Sequence, residues 1–271
     1  MIEDEHFVPI NGLDLTPYIQ ANDISGIHHL IRYKWALKVL ADLHPHNILD
    51  IACGAGYGSY LFAHQFPDAR VIGVDYDAKA VEQAQKNYSL PNLEYIVGDV
   101  MHWEDSIGST VFDCIVSFDT IEHVPHREIM MENLVHHIHK SGSLLLSTPS
   151  GSLVNVINPE WQYHRIEYSA ASLYDFLKRY FRTILRPDAM MLPHADIFDE
   201  THGTGADYLL WINPVICKHP VVFSNPYYAA TSERMIFYAR YRHLLAVWRT
   251  SGFTFMVKQI LDFLRRQRSK H

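Results

Sequence analysis

Asn47-Ile48-Leu49-Asp50-Ile51-Ala52-Cys53-Gly54-Ala55-Gly56-Tyr57-Gly58 reads as an apolar strand carrying an acid, then a glycine-rich turn, then a helix start. Three glycines in five positions let the backbone turn tightly and approach a ligand closely. The helix that follows points its N-terminus at that ligand. Such a turn cradles a nucleotide-like cofactor at the carboxyl ends of parallel strands. A nicotinamide or flavin site expects G-x-G-x-x-G. Here the pattern is G-x-G-x-G, with Asp50 four residues before Gly54. A carboxylate there would repel a pyrophosphate and suits a cofactor with a cationic, amine-bearing group.

Working outward, Val71-Ile72-Gly73-Val74-Asp75 is a second apolar strand ending in an acid, 21 residues after Gly54. That spacing lets a carboxylate receive the two ribose hydroxyls. Leu93 to Asp99 is a third such strand, and Asp99 could accept from an adenine amino group. Val111 to Asp119 is a fourth, and Ser143 to Pro149 a fifth, entered through a Ser141-Gly142 turn. Helices are expected near 23–43, 58–66, 77–88 and 127–140, and from an N-cap at Ser169 through Tyr180. Ala80, Val81, Ala84 and Tyr88 share one helical face. Further strands are expected near 181–186 and 207–217. The alternation implies an α/β fold with a mainly parallel sheet covered on both faces.

The glycine turn and the ordered acid-ended strands, over roughly residues 29 to 186, resemble the class I S-adenosylmethionine-dependent methyltransferases. The resemblance implies a Rossmann-like seven-stranded sheet with one antiparallel edge strand. It implies S-adenosyl-L-methionine as cofactor, held by Asp50, Ala52, Gly54, Gly56, Asp75, Tyr76, Asp99, Val100 and Phe118. Many members have glycine where this chain has Ala52, a change expected to cost little backbone freedom. His29-Leu30-Ile31-Arg32-Tyr33 is similar to the H-x-x-R-Y signature of a subgroup associated with cell-surface polysaccharide assembly. Arg32 would clamp the cofactor carboxylate through its planar fork, with Tyr33 beside it.

After the fourth strand comes Asp119-Thr120-Ile121-Glu122-His123-Val124-Pro125, at the sheet edge where the methyl group should sit. His164 follows in the loop after strand five. Two readings stand. In one, Asp119, Glu122, His123 and His164 bind a divalent metal that acidifies a substrate hydroxyl. This is similar to the E-x-x-E-H pattern of metal-assisted O-methyltransferases of ubiquinone biosynthesis and small-RNA 3′ ends, with Asp119 one methylene shorter. In the other, preferred here, Asp119 and Glu122 order the loop, and His123 or His164 is a general base.

Charged residues at 20% and hydrophobic residues at 48% describe a globular protein with ample core. No run of 18 apolar residues marks a membrane span, and the acidic start lacks a signal peptide's basic region. Cys53, Cys114 and Cys217 read as buried thiols in a reducing compartment. Residues 1–220 are expected to form the methyltransferase domain, with 187–206 a substrate-covering insertion, and 221–271 a basic amphipathic helical tail. Residues 240–271 hold eight Lys and Arg against one acid, Asp262, a net +7. The chain carries −7, so the remainder carries −14, which argues against nucleic acid as a partner. The tail could lie on an anionic membrane, join copies of the chain or pack on the chain's own domain. His194, Asp196, Asp199, Glu200 and His202 read as a solvated polar loop, and His136, His137 and His139 as a surface helix face. The expected location is the cytoplasm, or the inner membrane face. The expected activity is O-methylation of a small molecule or glycan. The alternatives are a nicotinamide-dependent oxidoreductase and a non-catalytic methyltransferase-like scaffold.

Overall fold

The computed structural model describes residues 7–10, 12–103, 106–149, 163–168, 170–186 and 212–221, with scattered positions from 248 to 261. Among them, α1 (Thr16–Gln20) and α2 (Ile24–Leu43) lead into β1 (Asn47–Ile51), α3 (Tyr57–Gln65), β2 (Arg70–Asp75), α4 (Ala78–Asn87) and β3 (Leu93–Val97). Then come β4 (Phe112–Phe118), α5 (Arg127–His137), β5 (Ile138–Ser147), α6 (Ala170–Leu177), β6 (Phe181–Leu185) and β7 (Val215–Pro220). The sheet order is β3-β2-β1-β4-β5-β7-β6.

Local chemistry sets these boundaries. Asp23 caps α2 by accepting from the Gly26 amide, and His44 ends it in the left-handed region. Asp77 caps α4 by accepting from the Lys79 amide, and Ala80, Val81 and Ala84 are its buried face, as its sequence spacing predicts. β1 has apolar neighbours on both sides because it pairs in parallel with β2 and β4. One face of the sheet packs Trp103, Met130, Leu134 and Phe176 of the α5–α6 side. The other packs Leu30, Trp35 and Leu40 of α2 with Phe62 of α3. Helices therefore cover both faces of a Rossmann-like sheet, as expected.

Three expectations are corrected. The single antiparallel strand is not at the edge: β7 lies between β5 and β6 and runs against both. The β5–α6–β6 crossover skips one strand position, and β7 fills it, satisfying ladder groups on two neighbours. α5 stops at His137, and β5 starts at Ile138, so Ser141 and Gly142 lie inside the strand. They sit in an irregularity where the register passes from Phe112↔Ile138 to Cys114↔Ser143, and a side chain at Gly142 would press 2.8 Å from the Asp113 carbonyl. β7 begins at Val215, because Asn213 takes a φ of 47° and Pro214 has no amide hydrogen for the ladder.

Cys53, Cys114 and Cys217 are buried free thiols. His136 and His137 are on α5 and His139 on β5. His137 is not a bare surface residue: its ring packs 4.7 Å from Trp103, and its nitrogens lie 2.8 Å from the Asn133 and Gly108 carbonyls. Ser169, the 187–206 insertion with its polar cluster, and most of the tail lie outside the described residues. Among the described residues, no helix is long and apolar enough to cross a membrane.

Candidate active site

The carboxyl ends of β1, β2 and β4 converge beside the N-terminus of α3. The Cys53 amide still donates to the Val74 carbonyl at 3.0 Å, so the turn stays stitched to β2 two residues past the end of β1. Asp75 then holds the turn by its backbone: one oxygen accepts from the Gly54 amide at 2.7 Å, the other from Asp77 at 2.9 Å. Gly56 starts α3 at a φ of 83°, and a Cβ there would meet Ala84 at 2.5 Å. Gly58 serves a different end from close ligand approach. A Cβ there would lie 1.9 Å from the Tyr33 ring, so the third glycine makes room for an aromatic neighbour. Ala52 sits at a φ of 60°. The expectation that alanine costs little here is corrected, since Cβ crowds the backbone in this region.

Asp50 does not protrude into the cleft. It is buried one residue before the strand end and accepts from the Ser59 hydroxyl at 2.7 Å. Burial, reinforced by the nearby Asp75 charge, raises its pKa to about 7 despite the Ser59 hydrogen bond. A cationic group nearby would favour its ionised form. Asp99 accepts from the Met101 amide, Val100 packs partly against the core, and Tyr76 is exposed. Tyr95, which the sequence did not single out, donates to the Gly56 carbonyl at 2.6 Å and braces the turn from β3.

The H-x-x-R-Y helix closes the other side. Tyr33 packs edge-on against Tyr57 at 4.8 Å and Phe118 at 5.1 Å. Burial pushes the Tyr33 phenol well above its ordinary value, so it stays neutral. Phe7 stacks on the His29 ring at 4.7 Å, and desolvation lowers the His29 pKa to about 4. Arg32 is buried, donates to the His28 carbonyl at 2.9 Å and forms an ion pair with Asp119. Asp119 has left β4 in the left-handed region, at a φ of 46°.

That ion pair redraws the group weighed as metal ligands. Of the four residues weighed as metal ligands, Asp119 turns to Arg32, while Glu122, His123 and His164 each bring a donor atom within 4.8 Å of the others. Those three could hold a divalent ion. Glu122 is buried: one oxygen accepts from the Thr148 hydroxyl at 2.9 Å, and the other has no hydrogen-bond partner among the described residues. Desolvation, then the Asp119 charge, pushes its carboxyl well up. The His123 and His164 rings meet edge-on at 4.9 Å. Burial, then the His164 charge, lowers the His123 pKa. Glu167 accepts from His164 Nδ1 at 2.6 Å. Sequence reasoning missed Glu167 and Thr148; the His164-x-x-Glu167 spacing was the available signal for the first.

Residues 48–142 match a family model described as a methyltransferase domain. The trans-aconitate 2-methyltransferase of Afipia carboxidovorans is 27% identical over 65% of this chain and 63% of its own length. The mitochondrial ubiquinone biosynthesis O-methyltransferase of Schizosaccharomyces pombe is 37% identical over 40% of this chain and 39% of its own length. The chain thus spans less than two thirds of either relative. A chain of the complex between the Haloferax volcanii Trm112 activator and a methyltransferase shares the fold, at 14% identity and a TM-score of 0.52, over 77% of this chain and 98% of that one. Residues 48–142 thus match a methyltransferase domain, and the seven-stranded sheet around them shares the fold of the Haloferax volcanii structure.

Proposed function

We propose that the chain transfers a methyl group from S-adenosyl-L-methionine to a hydroxyl of a small molecule or glycan. The observation that supports this most is the Arg32–Asp119 pair, which joins the helix flanking the glycine turn to the loop carrying Glu122 and His123. Cofactor and acceptor faces thereby share one cleft edge. Bound cofactor supplies an electrophilic methyl carbon. The chain's contribution is to line up the acceptor oxygen with that carbon, exclude water, and accept the hydroxyl proton on His123 or His164. Asp75 and the glycine turn would hold the ribose and methionine portions, and Arg32 the carboxylate.

Small-molecule acceptors accord with the names of both relatives, and a glycan with the H-x-x-R-Y signature. The acceptor side carries Asp119, paired with Arg32, Glu122, whose carboxyl burial pushes toward the neutral form, and Glu167, paired with His164. A nicotinamide-dependent oxidoreductase is not favoured, since the matched family is one of methyltransferases. A second reading rests on the grouping of Glu122, His123 and His164, which fits a divalent ion. In that case the ion would lower the acceptor hydroxyl pKa.

Incubation with methyl-labelled cofactor and a panel of sugars and phenols tests these readings. Alkali-stable label, an ether, is expected, and it should survive chelation. Alkali-labile label, an ester, would assign a carboxylate acceptor instead. Activity abolished by chelation and restored by Mg²⁺, Mn²⁺ or Zn²⁺ would establish the metal reading. Cofactor binding with no transfer to any acceptor would point to a scaffold.

A further inference from the structure

We infer that Asp119 is a specificity residue for the cofactor: its carboxylate receives the α-ammonium group beside the α-carboxylate held by Arg32, so that the ion pair as a unit recognises an α-amino acid head. This rests on the reading of the cleft as a methyl-transfer site. Each side chain has capacity left over. A guanidinium carries several N–H donors, and Arg32 uses Nε on the His28 carbonyl and Nη1 on Asp119. Asp119 gives Oδ2 to Arg32, and its Oδ1 has no hydrogen-bond partner among the described residues. An orphaned carboxylate oxygen at a cleft wall calls for a donor. An α-amino acid carries an anion and a cation on one carbon, in the order complementary to an arginine and an aspartate side by side. It satisfies both without separating them.

The fold brings the pair to the glycine turn. β4 runs parallel to β1 with Ser117 level with Ile51, so Asp119, two residues on, is carried to the height at which Cys53 opens the turn. Phe118 packs on Tyr33, and Tyr33 packs on Tyr57, the first residue of α3. The Tyr57 phenol feels the charges of both Arg32 and Asp119, so the pair stands beside the N-terminus of that helix. The backbone there is held. The Asp119 amide donates to the Ser147 carbonyl at 3.1 Å, and the Thr120 hydroxyl donates to the Phe118 carbonyl at 3.0 Å. Asp50, which the sequence offered for a cationic group, is 1% exposed and engaged by Ser59. The Asp119 side chain is 23% exposed and already pairs with a cation, which makes it the carboxylate a ligand can reach.

The test is calorimetry of the full chain with S-adenosylhomocysteine and with its deaminated form, which keeps the carboxylate. The unaltered chain is expected to bind the deaminated form about 10- to 100-fold more weakly, the range for losing a hydrogen bond to a charged group. Asp119→Asn keeps the shape, and asparagine tolerates the left-handed backbone. It should weaken S-adenosylhomocysteine by a similar factor and leave the affinity for the deaminated form nearly unchanged. A residue that merely orients Arg32 would weaken both ligands alike, since both carry the carboxylate, and that result overturns the inference. Equal affinity of the unaltered chain for the two ligands overturns it as well, whether or not the variant folds. Should Asp119→Asn not fold, Arg32→Met with Asp119→Asn removes both charges together. That chain should show no preference for the amine, and a retained preference overturns the inference. Failure of S-adenosylhomocysteine to bind the unaltered chain would instead remove the functional reading, and this inference with it.

Discussion

Arg32 on α2 and Asp119 just past β4 form an ion pair across 87 residues of sequence, with Arg32 buried and Asp119 about one quarter exposed. The pair ties the helix of the H-x-x-R-Y signature to the loop that carries Glu122 and His123. Removing one partner of a largely buried pair costs about 3 kcal/mol, because the other charge stays behind. Arg32→Met should therefore lower stability by about 3 kcal/mol in urea, and Arg32→Met with Asp119→Asn by clearly less than the sum of the two. Strict additivity in that cycle would show that the pair carries no coupling.

Gly58 and Ala52 make opposite predictions within one turn. Gly58→Ala places a methyl group against the Tyr33 ring, which Tyr57, Phe62 and Phe118 hold in place. An overpacking cost of about 1–3 kcal/mol is expected, with weakened S-adenosylhomocysteine binding. Ala52→Gly relieves a residue at a φ of 60° and should raise stability by up to about 1 kcal/mol. Paired thermal melts decide both, and a destabilised Ala52→Gly would show that the methyl group is needed for packing.

Two buried groups should give stability slopes of opposite sign against pH. Desolvation holds His29 near a pKa of 4, below its ordinary 6.5, so the unfolded chain binds more protons and stability falls as pH drops from 6.5 to 4. Asp50 is raised from 3.8 to about 7, so the folded chain binds more protons and stability falls as pH rises from 4 to 7. Each slope is at most about 1.4 kcal/mol per pH unit. Relative to the unaltered chain, His29→Gln should lose ground as pH rises from 4 to 6.5, and Asp50→Asn should gain it from 4 to 7. Parallel urea midpoints in which both variants track the unaltered chain would remove both assignments.

How much of this the sequence shows depends on the range of the interaction. β1, β2 and β4 are legible because each is a continuous apolar run buried on both faces, and α4 because its apolar residues recur at helical spacing. The position of β7 is not, since no local pattern reveals which slot a late strand fills. The gathering of Glu122, His123 and His164 follows the expected motif order, whereas the diversion of Asp119 to Arg32 depends on a partner 87 residues away. Glycine counts mislead in the same way: Gly54 and Gly56 serve the turn, but Gly58 answers to Tyr33, a residue on another helix.

Calorimetry of the full chain with S-adenosylhomocysteine and with NAD, repeated for Asp75→Ala, bears most directly on the central claim. Asp75 accepts from the Gly54 amide and is the residue proposed to hold the ribose. Micromolar binding of S-adenosylhomocysteine is expected, with none of NAD, and Asp75→Ala should weaken it by about 10- to 100-fold, equivalent to 1.5–3 kcal/mol for hydrogen bonds to a charged acceptor. Tighter binding of NAD, or undiminished affinity in a folded Asp75→Ala, would contradict the assignment of this cleft to S-adenosylmethionine.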